Sequence, residues 1–118
     1  MAKIRLASAM LYVDLTPSDR FMTFHGSFSI PLTHVTNAYV SGREALHLQW
    51  RLLGTSFPNA VTAGTFTSPD GLVFCDIRGA HDCLVIELRN EHYIRLALQM
   101  DDGVKPNDVA HAICRQIP

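Results

Sequence analysis

Histidine is the residue type with the widest chemical range in this chain, and it occurs at six positions: His25, His34, His47, His81, His92 and His111. An imidazole ring can ligate a metal ion or exchange a proton near neutral pH. A metal site needs about three or four converging ligands, and none of these histidines has a spacing typical of such a site. The densest group, His81 with Asp82 and Cys83, occupies consecutive positions, which point to opposite faces of a strand. The sequence therefore predicts no metal site and no cofactor.

Nucleophilic catalysis by a cysteine with a histidine base is the second candidate chemistry, and the three cysteines are Cys75, Cys83 and Cys114. A reactive thiolate needs an imidazole or another positive charge nearby. Cys75 and Cys83 lie in apolar, strand-like runs, and Cys114 lies on the apolar stripe of a helix, where a free cysteine usually packs as a small apolar side chain. An acid, a base and a nucleophile do not converge in the sequence. We therefore expect a protein without catalytic residues, which is not an enzyme.

An interaction surface is the third candidate, because aromatic residues and arginine are enriched at the energetic centres of protein interfaces. The residues predicted to form it are Arg43, His47, Trp50, Arg51 and Phe57. The alternative is that Leu46 and Trp50 cover one face of the protein's own sheet, as the apolar side of an amphipathic segment usually does. The sequence leaves both interpretations open.

The strands that would position these residues are predicted from the alternation of apolar and polar side chains. Seven runs qualify: Met10–Leu15, Ser27–Leu32, Thr36–Ser41, Asn59–Thr67, Leu72–Ile77, Cys83–Leu88 and Tyr93–Met100. The residues between the fourth and fifth runs, Ser68–Gly71, have the composition of a tight turn and predict a hairpin. The last two runs are joined by a short polar turn, so we expect them to be adjacent central strands.

Two short helical segments are predicted between the early strands. Thr16–Asp19 supplies a capping residue, a proline suited to the first helical position and an acid for the first turn, which indicates a helical turn toward Phe24. Apolar residues at helical spacing, with Gly54 placed to end a helix, predict a helix or helical loop over Arg43–Leu53. The apolar positions concerned are Leu46, Trp50 and Leu53.

A terminal helix is predicted over Pro106–Ile117, where one stripe is apolar and the opposite side is polar. The stripe contains Pro106, Val109, Ala110, Ile113, Cys114 and Ile117. This stripe is expected to pack on the last two strands, so that the helix closes the sheet. The strand residues expected to meet it are Leu84, Ile86, Ile94, Leu96 and Leu98.

Length and composition bound the possible classes of protein. With 118 residues and 47% hydrophobic composition, the chain fits a single domain over residues 1–118. The formal charge of -1 argues against nucleic acid and membrane lipid as ligands. An odd number of cysteines without a Cys-x-x-Cys spacing is typical of a reducing compartment, and no apolar run suggests a signal peptide or a membrane span. A cytoplasmic location is the expectation.

Several short motifs resemble the bacterial, actinobacterial-type pleckstrin-homology-like (PH-like) proteins. They are Ile30-Pro31-Leu32 with Val35, Gly54-Thr55 with Phe57-Pro58, Ala63-Gly64-Thr65-Phe66, Phe74 with Gly79, and Val85-Ile86-Glu87-Leu88. The resemblance implies a mainly β (α+β) fold, a barrel or sandwich of about seven antiparallel strands capped by one C-terminal helix. It carries over no catalytic residues. Eukaryotic lipid-binding relatives use a basic cluster in the first loop, where this chain offers only Arg20.

The function expected from the sequence is that of a non-enzymatic PH-like binding or assembly module. It would bind a protein partner or self-associate, through an exposed sheet edge or the segment around Trp50, because open edges present unpaired backbone groups. The alternative is a small-ligand-binding or metal-dependent protein with a pocket near His25, His34 or Trp50.

Overall fold

The chain folds into strands that form two sheets, with one short and one longer α-helix. The computed structural model describes residues 2–57, 61–79 and 82–118. Within them the elements are β1 (Lys3–Ala7), β2 (Met10–Asp14), α1 (Pro17–Thr23), β3 (Phe28–Pro31), β4 (Val35–Ser41), β5 (Arg51–Phe57), β6 (Val61–Ser68), β7 (Gly71–Arg78), β8 (Cys83–Leu88), β9 (Arg95–Leu98) and α2 (Pro106–Gln116). Single 3₁₀ turns occupy Leu32–His34 and Arg43–Leu46. The mainly β, α+β prediction is confirmed.

The two sheets have different sizes and different pairing. A three-stranded antiparallel sheet has the order β1-β2-β3, and a six-stranded sheet has the order β4-β8-β9-β7-β6-β5. The β6–β7 hairpin, with Ser68 opposite Gly71, is confirmed, as is the central pair β8–β9. The prediction of about seven antiparallel strands is wrong, because the described residues form nine strands and β9 runs parallel to β7. β1, which precedes the first predicted strand, was not anticipated.

The main core lies between the two sheets and is closed by α2. Alternating residues of the large sheet point into it, and so do alternating residues of the small sheet. Its largest fully buried members are Leu11, Val13, Ile30, Val35, Phe74, Leu84, Ile86, Leu96, Leu98 and Ile113. The expected packing of the helix stripe is therefore confirmed for most positions. Ile94 is the exception, since it packs on the opposite face of the large sheet.

A second apolar cluster covers that opposite face, and the sheet order explains it. β4 and β5 occupy opposite edges, so residues 42–50 must cross five inter-strand spacings of about 4.8 Å, a total of about 24 Å. Nine residues advance about 14 Å as an α-helix but about 30 Å when extended. The predicted helix or helical loop over Arg43–Leu53 is accordingly found only over Arg43–Leu46, as a 3₁₀ turn, and residues 51–53 belong to β5 instead. Leu46, in this crossing segment, is buried in the cluster that also contains Val73, Cys75 and Val85.

The helix ends follow local sequence rules. In α1 the Thr16 hydroxyl accepts a hydrogen bond from the Asp19 amide at 3.2 Å, and the Asp19 carboxylate accepts one from the Thr16 amide at 3.2 Å. This reciprocal capping box satisfies two backbone donors at the helix start. Lys105 precedes α2 without a side-chain capping bond, as its chemistry predicts.

Neither of these helices has the length and apolar character needed to span a bilayer.

Gly54 does not end a helix; it allows β5 and β6 to approach closely. Gly54 lies opposite Gly64 in the ladder, and both residues have φ values that favour glycine, 113° and 122°. A Cβ atom at Gly54 would lie 2.0 Å from the Ala63 carbonyl oxygen, and one at Gly64 would lie 2.0 Å from the Leu53 carbonyl oxygen. The obstacle is backbone in both cases, so it cannot move aside.

Gly54→Ala is therefore expected to lower the free energy of unfolding by at least about 1–3 kcal/mol, the usual cost of a disfavoured backbone conformation. Urea denaturation followed by circular dichroism measures the change. Gly26→Ala is the matched control, since a Cβ there meets nothing within 4 Å, and its stability should be unchanged or slightly raised. Wild-type stability of Gly54→Ala would contradict the close approach.

Candidate functional site: an apolar strand edge

β5 is an edge strand whose outer side pairs with no described strand. It has seven residues and forms its ladder with β6 alone. The pairing extends one step before the strand, because the Thr67 amide donates to the Trp50 carbonyl at 2.8 Å. The outer side of β5 therefore carries backbone N–H and C=O groups that another strand can satisfy.

Large apolar side chains stand exposed along the start of this strand. Trp50, Leu52 and Leu53 are 73%, 55% and 54% exposed, and we call these three residues the apolar edge. The ladder has an irregularity here: Arg51 lies opposite Phe66 and Leu53 opposite Thr65, so Leu52 has no partner of its own. A bulge of this kind turns side chains away from their regular faces. It explains how two consecutive leucines can both be exposed.

Helix α1 borders the apolar edge. The Thr55 hydroxyl donates to the Met22 carbonyl at 3.1 Å, which fixes the helix beside β5. Phe21 and Phe24, on either side of Met22, are also largely exposed. Soluble monomers rarely expose extended apolar patches, and those that occur usually mark interaction sites. The neighbourhood of β5 therefore has the character of a binding surface.

The other sheet edges are shorter or covered. α2 packs against β4, and the Cys114 thiol lies 3.3 Å from the Ala38 carbonyl oxygen. β1 has five residues and carries Lys3 and Arg5, and β3 has four residues and ends in Pro31. Short length, positive charge and proline all protect an edge from pairing with another chain. β5 is consequently the edge best suited to accept a strand.

The predicted interaction surface is divided by the structure. Trp50 and Arg51 are exposed at the start of β5, and His47 is exposed in the crossing segment with a φ of 52°. The Arg43 guanidinium donates to the Thr62 hydroxyl at 2.8 Å and so anchors that segment on β6. Phe57 ends β5, and its side chain lies outside the described part. The edge residues Leu52 and Leu53 lie outside the predicted surface, because the spacing of the apolar residues predicts a helix or helical loop over this segment.

The three residues proposed to border a ligand pocket have separate surroundings. The His25 ring stacks on Phe28 with centroids 4.3 Å apart. His34 Nδ1 lies 2.5 Å from the Glu91 carboxylate, and Trp50 stands at the start of β5. His81 of the predicted local cluster lies outside the described residues. Among residues 2–57, 61–79 and 82–118, no three side chains of His, Cys, Asp or Glu are grouped to hold a metal ion.

Two of the cysteines are buried in the second apolar cluster. Burial raises the pKa of the Cys75 thiol, and burial raises the pKa of Cys83 to about 11. Both thiols are therefore protonated near neutral pH, which is the unreactive form. Cys114 is exposed, although its place on the helix stripe had predicted a core position.

A buried pair of carboxyl groups joins α1 to β7, and sequence reasoning missed it. Asp19 and Asp76 are only 1% and 2% exposed, and Arg78 Nη2 lies 3.1 Å from Asp19 Oδ1. Neither oxygen of Asp76 has a hydrogen-bond partner among the described residues. Arg78 Nε lies 3.7 Å from Asp76 Oδ1, too far for a hydrogen bond. The signal was an acid at an inward-facing position of an apolar strand, two residues after Phe74.

The two acids have pKa values shifted in opposite directions. Burial raises the pKa of Asp76 to about 7, and the charge of nearby Asp19 acts in the same direction. Burial alone would raise the pKa of Asp19, but hydrogen bonds from the side chain and backbone of Thr16 outweigh it and lower that pKa. The pair therefore takes up a proton as the pH falls through about 7, and the opposite shifts place that proton on Asp76.

Asp76 is expected to make the protein less stable as the pH rises through about 7. In the unfolded chain its carboxyl is already ionised above about pH 4, whereas the folded chain must ionise it without hydrogen bonds. The fall lies between about pH 4 and 7, so Asp76→Asn should flatten the change in unfolding free energy between pH 5 and pH 8, and it should be more stable than wild type at pH 8 by about 1–3 kcal/mol. Urea denaturation at both pH values measures this, with exposed Asp82→Asn as control. An unchanged pH dependence in Asp76→Asn would contradict it.

Thiol labelling tests the burial of the cysteines. In the native protein one thiol, Cys114, should react with iodoacetamide at the rate of an ordinary free cysteine, because the other two are buried and protonated. Mass spectrometry of tryptic peptides gives the labelled positions, and Cys114→Ser should remain unlabelled until urea is added. Fast labelling of Cys75 or Cys83 in the folded protein would show an activated thiol and reopen the possibility of catalysis.

Comparison with known proteins assigns no function to this site. No protein-family model matches the chain, and no curated protein and no solved structure matches it.

Proposed function

We propose that this chain is a non-enzymatic binding or assembly module that adds a strand of another protein to β5, in the first instance a second copy of itself. The observation that carries the proposal is the apolar edge: an unpaired strand side together with the exposed side chains of Trp50, Leu52 and Leu53. An added strand would satisfy the backbone groups of β5, while these side chains would supply the buried contacts.

Two copies of the chain can pair directly through their β5 strands, and the contact needs no other strand or helix. Antiparallel pairing of β5 with its symmetry mate gives a two-fold interface in which the same patch serves both subunits. Fully burying one leucine side chain contributes about 1.5–3 kcal/mol, and an aromatic residue such as Trp50 is a typical interface anchor. Helix α1 contacts β5, and Phe21 in this helix and Phe24 directly after it are exposed, so they can add to the apolar surface near this edge.

The remaining parts of the proposal have separate supports. A binding role without catalysis is supported by the buried, protonated thiols and by the separate surroundings of His25 and His34. A PH-like architecture is supported by two sheets around a core that a terminal helix closes, while the parallel β7–β9 pair is foreign to that pattern. A cytoplasmic location is supported by the three free cysteines. The binding role depends on the β5 edge and not on the family resemblance.

Self-association is tested by sedimentation velocity over a wide concentration range. Wild type is expected to pass from monomer to dimer, and Leu52→Lys/Leu53→Lys should weaken the dimer by at least about tenfold, because charges on an edge strand oppose pairing and apolar burial is lost. Thr36→Lys on the covered edge strand β4 is the matched control and should dimerise normally.

Hydrogen exchange identifies the pairing surface independently. The amides of β5 should become protected as the concentration rises, whereas those of β1 should not. A wild-type chain that stays monomeric at every concentration would refute self-association, and a dimer unaffected by the double substitution would refute the choice of β5.

A further inference from the structure

The start of α1 is attached to the large sheet by a buried polar cluster. Asp19 lies in the first turn of α1 and Asp76 on β7, and both are buried. Arg78 Nη2 contacts Asp19 Oδ1 at 3.1 Å, whereas both oxygens of Asp76 and the Nε of Arg78 lack a hydrogen-bond partner among the described residues. Buried polar groups are almost always hydrogen-bonded, so a carboxyl left in this state calls for an explanation.

A proton on Asp76 gives this carboxyl a partner. Burial and the charge of Asp19 raise the pKa of Asp76 to about 7, and a hydrogen bond to Asp19 acts in the same direction. A hydrogen bond that raises the pKa of an acid is one that the protonated acid makes. Protonated Asp76 therefore donates to the Asp19 carboxylate, and this bond joins β7 to the first turn of α1.

Loss of that proton weakens the attachment in two ways. The hydrogen bond between the two acids disappears, and two buried carboxylates of the same charge then repel each other. Arg78 Nε lies 3.7 Å from Asp76 Oδ1, so an ionised Asp76 also attracts the guanidinium that holds Asp19. The first turn of α1 is thus bound more firmly to the sheet when Asp76 is protonated.

The charges that act on Asp76 come from few places. Its ladder partners are Ala63 on β6 and Leu98 on β9, which carry no titratable group. Asp19 faces it from α1, and Arg78 lies two residues along β7. The positive charges of Arg78 and of the terminal amino group lower the pKa of Asp76, but they do not outweigh burial and Asp19. The attachment of α1 is therefore expected to change as the pH passes through about 7.

The other end of α1 connects the buried cluster to the apolar edge. The Thr55 hydroxyl of β5 donates to the Met22 carbonyl at 3.1 Å, and Phe21 and Phe24 are exposed on either side of Met22. A helix fixed at both ends presents these two rings in a set position beside β5. A helix released at its start must be ordered again when a strand is added, and this ordering reduces the affinity.

We propose, on the basis of the docking at β5 proposed above, that a proton on Asp76 fixes α1 beside β5 and thereby regulates docking at this strand. Docking is strongest on the acidic side of neutral pH and weaker on the basic side, where the proton has passed to solvent. Coupling of this kind is reciprocal, so docking in turn favours uptake of the proton by Asp76.

Sedimentation velocity at pH 6 and pH 8 tests the regulation. The dissociation constant of the wild-type dimer should be at least about fivefold higher at pH 8, the lower end of the usual coupling between two sites. Asp76→Asn carries an amide donor in place of the proton, so it should dimerise equally well at both pH values. Asp82→Asn, which removes an exposed acid, is the matched control and should follow the wild type.

Histidines also titrate in this range, and Asp76→Asn retains all six of them. Any pH dependence that they cause therefore persists in this variant. A pH dependence as large as that of the wild type would assign the effect to the histidines and overturn the role of Asp76.

Hydrogen exchange of the monomer tests the attachment of α1 without docking. At low concentration, and after correction for the intrinsic effect of pH, the amides of α1 should be less protected at pH 8 than at pH 6. The Arg20 amide, which donates to the Thr16 carbonyl at 2.9 Å, is a suitable reporter. Asp76→Asn should show equal protection at both pH values, and β8 should show it in both proteins.

The outcomes separate the regulation from the docking itself. A dimer whose affinity is the same at both pH values, or an α1 whose protection does not change, would overturn the regulation and leave docking at β5 intact. A chain that is monomeric at both pH values and at every concentration would refute docking at β5 and its regulation together.

Discussion

The order of the large sheet imposes one constraint on much of this structure: β4 and β5 follow each other in sequence but occupy opposite edges. The connecting segment must cross the whole sheet, and in doing so it buries Leu46 and covers a face that would otherwise be open to water. Both faces of the central strands are therefore buried, which accounts for the almost continuously apolar character of β7 and β8. The same crossing brings the chain to the far edge, where β5 is the last strand of the sheet among the described residues.

Local chemistry was predictable from the sequence and long-range geometry was not. The hairpin turn at Ser68–Gly71, the capping of α1 and most of the stripe of α2 depend on neighbouring residues and occur as expected; Cys114 of that stripe is exposed. The apolar spacing of Leu46, Trp50 and Leu53 matches a helix, but the distance to be crossed excludes one. The parallel insertion of β9 beside β7 has no signature in either strand, because both read simply as buried apolar runs.

The residues of the candidate site also differ in whether the sequence predicts them or only the fold defines them. Sequence composition located Trp50 and Arg51, but the exposure of Leu52 and Leu53 depends on a bulge that only the pairing with β6 defines. The buried acid pair divides in the same way: the position of Asp76, two residues after Phe74 in an apolar strand, signals a buried acid, but nothing in the sequence places the distant Asp19 beside it. Through Arg78 this pair fastens α1 to the sheet, and α1 in turn borders the apolar edge. A polar contact inside the molecule thus helps to shape an apolar surface outside it.

The position of β9 has a consequence for how the chain reaches this state. β7 and β8 are separated by a strand that is made later than either, so neither can complete its ladder until residues 95–98 have been synthesised. A nascent chain that ends before this point exposes two apolar strands with open sides, which is the kind of species that aggregates. Closure of the large sheet is therefore a late, long-range event, and topologies of this kind fold slowly for their size. β9, the last strand to be synthesised, therefore completes the large sheet by pairing with both β7 and β8.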